Sequence, residues 1–264
     1  MKRRAFIASS AIGSIGLWGG RLSAADLTTA ARRSAATRKI LIAGGNFNTT
    51  YIRYMAELTG KRRPKLLYLP TASADSAAGT LAWYRNCAPL EVEALDQESF
   101  IASTTQPRSW DDVLLSVDGI VASGGNTLNQ QAIWKAQGID VILRRAWDQG
   151  IVLGGASAGS LCWFEEGTTD SRPQELSIVK CLGLLSGSHC PHYDAEPGRR
   201  PLYHKLIGSG QMKPGYACDN DAGIYFEDNT VKRVVSTRQG AKAYYVTRAG
   251  NDVNEQVLEP DHIG

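Results

Sequence analysis

Short apolar runs alternate with segments of helical spacing along most of this chain. Lys39-Ile40-Leu41-Ile42-Ala43 is the first run, closed by Gly44-Gly45, and the spacing over 49–58 then predicts a helix. Lys65-Leu66-Leu67-Tyr68-Leu69 is a second run, stopped by Pro70; 77–87 is helical in pattern and 90–95 predicts a third strand. Gly119-Ile120-Val121-Ala122 predicts a fourth, leading into Ser123-Gly124-Gly125-Asn126. Residues 128–137 and 141–149 predict helices with Gly138 and Gly150 as stops, and 151–154 a fifth strand. Strands this uniformly apolar are covered on both faces. The pattern therefore predicts an α/β three-layer sandwich, a mostly parallel sheet with helices on either side. From about Gly215 it shifts to β-type runs at 223–226, 231–236 and 243–247, with a turn at Asp228-Asn229. These are expected as antiparallel strands completing one domain over 38–264.

Composition adds limits. Of 264 residues, 43% are apolar and 21% charged, which excludes a disordered chain. No apolar run of about 18 residues lies in the body, which excludes a polytopic membrane protein. Residues 1–25 stand apart. Lys2-Arg3-Arg4, an Ala/Gly/Ser-rich stretch and Ser23-Ala24-Ala25 together predict a cleaved export signal. Arg3-Arg4-Ala5-Phe6-Ile7 is similar to the twin-arginine pattern, so a periplasmic protein is expected, with 26–37 as a flexible lead-in. The formal charge of +3 drops by the leader's four basic residues to −1, leaving no electrostatic case for nucleic acid. The five cysteines lack CxxC spacing, and no motif demands a metal, nucleotide or flavin, so no cofactor is expected.

The sharpest chemical feature is Gly155-Ala156-Ser157-Ala158-Gly159, a G-x-S-x-G run directly after the fifth strand. A serine on a sharp strand-to-helix turn leaves no room for side chains two positions either side. The N–H of Ala158 then points toward the oxyanion formed when Ser157 attacks a carbonyl. Gly124-Gly125-Asn126-Thr127 follows the neighbouring strand, where open α/β sheets place their sites, and offers a second oxyanion donor. His189 and His192 lie in a polar, Pro-punctuated segment and are the candidate bases; Glu165, Glu166 and Asp170 are carboxylates available to orient an imidazole.

Gly-Gly-Asn-Thr, Ser-Ala-Gly at an elbow, Thr-Thr-Asp and Pro-His-aromatic, in that order, resemble the S51 serine peptidases, the family of peptidase E and cyanophycinase. The likeness runs from about Lys39 to Phe226. It implies a class I glutamine amidotransferase-like, flavodoxin-like fold and hydrolysis of small peptides, with a preference for N-terminal Asp as one expectation. By the resemblance Ser157 falls on the nucleophile, Ala158 and Gly125 (or Gly124) on the oxyanion donors, and His192 on the base. Asp170 falls on the acid of peptidase E, with Glu166 as the alternative because the segment is shortened and the cyanophycinase branch uses a glutamate. Asn126 and His189 are expected to contact substrate, and Arg199 or Arg200 to take its carboxylate. Asp219 and Asp221 are further candidates, as acceptors of a substrate amino group. Two readings stay open beside the peptidase: a non-catalytic binding module, and hydrolysis of β-linked Asp–Arg. A glutamine amidotransferase fails, because the elbow lacks cysteine.

Overall fold

The structure, a computed structural model, describes residues 36–100, 106–250 and 252–264. The leader over 1–25 and most of the 26–37 lead-in lie outside the described residues. Five parallel strands form the centre: β1 (Lys39–Ala43), β2 (Lys65–Leu69), β3 (Glu93–Asp96), β4 (Gly119–Ala122) and β5 (Val152–Ala156). Their spatial order is β1-β5-β4-β2-β3. Between them run α1 (Thr49–Leu58), α2 (Ala77–Cys87), α3 (Trp110–Leu114), α4 (Thr127–Gln137) and α5 (Ile139–Asp148). The apolar strands are explained by their two covered faces. Ile40 and Ile42 of β1 enter one core with Trp134, Leu143 and Trp147, while Leu41 and Ala43 enter the other with Tyr51, Ile52, Met55 and Trp83.

Helix α5 begins two residues earlier than the spacing predicts. Gly138 has φ 73°, so one left-handed residue both ends α4 and opens α5, and Ile139 joins the buried stripe of Ile142, Leu143, Ala146 and Trp147.

The C-terminal half carries the expected antiparallel strands and adds a second sheet to them. After a single turn of helix, α6 (Ala158–Leu161), the chain builds β6 (Phe164–Thr169), β7 (Ser177–Lys180), β8 (Leu185–Cys190), α7 (Arg199–Gly208) and β9 (Gly215–Cys218). It continues through β10 (Ala222–Glu227), β11 (Thr230–Ser236), β12 (Ala243–Ala249), β13 (Asp252–Leu258) and β14 (Asp261–His262). Only β10, β11 and β14 extend the main sheet, β10 running antiparallel beside β1. The rest form a second, six-stranded sheet in the order β13-β12-β9-β8-β6-β7. Phe164, Leu185, Cys218 and Ala243 of this sheet share a core cluster with Ile40 and Leu153. A second sheet, and not helices alone, therefore covers one face of the first. All five cysteines are free, and all but Cys181 are buried. Among the described residues, no helix is long and apolar enough to cross a membrane.

Candidate active site

The C-terminal ends of β1, β4 and β5, adjacent strands at the middle of the sheet, converge on Ser157. Ser157 has φ 58° and ψ −121°, a conformation strained for any residue with a Cβ. The flanking glycines hold it there. A Cβ on Gly155 would sit 2.4 Å from the carbonyl oxygen of Ala122, and one on Gly159 2.0 Å from the same atom. Both backbones thus pack against the end of β4 at a distance only glycine allows, as the G-x-S-x-G reading expects. Among the described residues, the N–H groups of Gly124, Gly125 and Ala158 have no backbone acceptor. Gly124 lies close to the serine: a Cβ there would lie 3.8 Å from Ser157 Oγ.

His192 follows β8 and also has positive φ, 55°. Its N–H bonds to the Gly44 carbonyl at 3.3 Å, and that of Tyr193 to the Cys218 carbonyl at 3.0 Å, fixing the segment between the ends of β1 and β9. Nε2 of His192 lies 2.8 Å from Ser157 Oγ, and Nδ1 lies 2.8 Å from Oδ1 of Asn220. An amide oxygen only accepts, so Nδ1 carries the proton and Nε2 presents its lone pair to the serine. Asn220 is held in turn: its N–H donates to Asp194, its carbonyl accepts from Arg238, and Arg238 also binds Asp194 and Asp221. Asn220 was not among the expected residues. It lies two positions beyond β9, between Asp219 and Asp221, and is an amide where a carboxylate was expected. The available signal was position: a side-chain acceptor after the histidine in the chain, at a strand end.

Neither expected acid reaches the imidazole. Asp170 is exposed at the end of β6, with Arg199 at 3.6 Å. Glu166 is buried, accepting from the Lys213 N–H at 2.8 Å and pairing with Lys180, so it ties β6 to β7 and to the approach to β9. The arginines are committed elsewhere. Arg199 is buried and donates to Glu196 at 2.6 Å and to the Thr168 carbonyl at 2.9 Å. Arg200 pairs with Glu255 and lies over the rings of Tyr193 and Tyr244. Asn126 caps α4, its side chain accepting from the Asn129 N–H at 2.9 Å and donating to the Ser171 carbonyl at 3.1 Å. Asp221 pairs with Arg238; Asp219 accepts from the Lys242 N–H through Oδ2, while its Oδ1 is buried and, among the described residues, has no hydrogen-bond partner.

His189 is a core residue and not a substrate contact. It is fully buried and stacked on Phe164. Nδ1 faces the Tyr216 carbonyl at 3.0 Å, so it holds the proton, and Nε2 accepts from Ser160 Oγ at 3.0 Å. Burial pulls its pKa from 6.5 to about 3. As pH falls below 6.5 the unfolded chain's imidazole gains a proton that the folded one refuses, so stability falls as pH drops from 6.5 toward 3. His189→Gln is expected to make the urea midpoint depend less steeply on pH over that window than in the parent. A slope equal to the parent's contradicts the neutral, buried imidazole.

Comparison with known proteins bears on the family and on the fold. The model of peptidase family S51 matches residues 40–234. An uncharacterized peptidase of Bacillus subtilis, YgaJ, is 40% identical over 232 residues, covering 85% of this chain and 98% of its own. A crystal structure of a peptidase from an acI-B1 actinobacterium superposes with TM-score 0.67 at 16% identity, over 85% of this chain and 95% of that one. A putative peptidase E protein from Listeria monocytogenes EGD-e gives TM-score 0.55 at 20% identity, over 75% and 98%. These two likenesses bear on the fold, a mostly parallel sheet with added antiparallel strands. The chain belongs to peptidase family S51.

Proposed function

We propose that this peptidase is of the serine type and hydrolyses small peptides through an acyl-enzyme on Ser157. One observation carries the reading: a strained serine 2.8 Å from an imidazole nitrogen whose other nitrogen donates to a fixed amide oxygen. Ser157 Oγ bonds to the substrate carbonyl carbon as its proton passes to Nε2 of His192. The oxyanion is received by the N–H of Ala158 and that of Gly124 or Gly125. The imidazolium returns the proton to the leaving amine as the C–N bond breaks, and a water repeats the sequence on the ester. Asn220 fixes the tautomer without a charge, as asparagine does in Cys-His-Asn peptidases. Asp219, Asp221 and Asp194 crowd this position. Asp194 and Asp221 already share the one guanidinium of Arg238, so a further carboxylate at this position would add a negative charge with no cation of its own, a physical reason for an amide.

A non-catalytic binding module gains nothing from holding a serine under strain against a proton acceptor, which supports the enzyme over that alternative. Export through the leader stays part of the proposal on composition alone. Hydrolysis of a dipeptide library by the purified chain lacking 1–25 tests the activity: turnover of some members is expected, and none turned over at high enzyme concentration would overturn it. The assignment of Asn220 has its own test. Asn220→Ala is expected to lower kcat by about 10²-fold through a mis-set imidazole, with Asp170→Asn and Glu166→Gln close to the parent per folded molecule. Collapse on Asp170→Asn or Glu166→Gln with Asn220→Ala unaffected reverses the assignment.

A further inference from the structure

Beside Ser157 opens a slot of about 200 Å³, the scale of one large side chain. Two rim glycines tie it to the reacting groups. A Cβ on Gly124 would lie 3.4 Å from that of Ser157, and one on Gly45 2.3 Å from Asn220 Oδ1. Its walls are aromatic. Tyr68 and Trp83 stack with centroids 5.5 Å apart, and Phe47 stacks on Tyr51 behind it. The polar groups are the neutral amides of Asn46 and Asn86 and the Tyr68 hydroxyl, whose proton is held more firmly because the ring is buried. Among the described residues, no carboxylate, ammonium, guanidinium or imidazole lines the slot. A charged side chain entering it would give up part of its hydration and find no charged partner there in return.

We propose that this slot receives the side chain of the residue whose carbonyl Ser157 attacks, and that this residue is uncharged and large, aliphatic or aromatic. This rests on the serine-peptidase reading above. It replaces the expected preference for Asp, because Arg199 and Arg200 are bound within the protein and, among the described residues, nothing cationic lines the slot. The aromatic faces take a leucine, methionine or phenylalanine side chain by burial of apolar area.

Gly79, on the α2 side of the slot, provides the test. A Cβ there would lie 3.3 Å from Tyr68 Oη, so a larger residue grows into the space, and replacing a glycine within a helix favours the helix. kcat/KM is measured for Phe-Ala, Leu-Ala, Gly-Ala, Asp-Ala and Lys-Ala on the purified chain and on Gly79→Leu, with a fluorophosphonate probe reporting Ser157 in each. Phe-Ala and Leu-Ala are expected to exceed Asp-Ala and Lys-Ala by about 10²-fold, and Gly79→Leu to compress the Phe-Ala to Gly-Ala ratio by about 10-fold. Asp-Ala or Lys-Ala as the best substrate, or an unchanged ratio in Gly79→Leu, overturns the slot while probe labelling leaves the serine reading standing. Failure of the parent to label and to hydrolyse any of the five overturns the serine reading itself.

Discussion

Replacing Ser157 by alanine is expected to reduce kcat by about 10⁴-fold or more with little change in stability. The hydroxyl's contact is with His192 at the site, and no core residue loses a packing partner. The strain remains in Ser157→Ala, because alanine at φ 58° suffers as serine does. Ser157→Gly should also be inactive, yet more stable than Ser157→Ala by about 1 kcal/mol, since glycine adopts this conformation freely. Comparing the two thermal midpoints therefore tests the elbow separately from the chemistry. Turnover near the parent's in either variant removes Ser157 from the reaction; equal midpoints remove the strain argument.

His192→Ala carries the second large effect, a loss of kcat comparable to that of Ser157→Ala. Without the imidazole, the serine proton has no acceptor at 2.8 Å and the leaving amine has no donor. The two residues act as one unit, so the double variant should be no slower than either single one. Independent, multiplying losses would show that His192 and Ser157 serve different steps. Per folded molecule, His189→Gln should lose far less, because that imidazole faces Ser160 and Tyr216 within the core. If the His189 variant were the slower of the two, the base would be misassigned.

The parallel half of the fold was legible because both faces of its strands are buried. Lys39–Ala43, Lys65–Leu69 and Gly119–Ala122 are as the apolar runs predict, and so is the helix Thr49–Leu58. The second sheet was not legible. Phe164–Thr169 carries one large apolar side chain followed by Glu165, Glu166, Gly167 and two threonines, so neither a run nor an alternation marks it as a strand. Its membership depends on long-range pairing with β7 and β8, which a local pattern does not encode. Within the site, Ser157 was readable because a strained turn demands glycines at fixed offsets. His192 was distinguished from His189 only by the resemblance of Pro191-His192-Tyr193 to the family's Pro-His-aromatic pattern. The partner of His192 was not readable, because hydrogen-bond acceptance is a property shared by amides and carboxylates, and only the closing of the chain around Gly44 and Cys218 brings Asn220 to the ring. The arginines misled for the converse reason. Their charge suggested a substrate carboxylate, while Glu196, Glu255 and the Thr168 carbonyl already hold them.

Covalent capture at Ser157 tests the central claim most directly. The folded chain is incubated with a fluorophosphonate, and its intact mass and labelled peptide are read by mass spectrometry. A single adduct on Ser157, absent in Ser157→Ala and strongly slowed in His192→Ala, is the predicted result. No adduct on a chain that hydrolyses peptides, or an adduct on another residue that persists in Ser157→Ala, would contradict it.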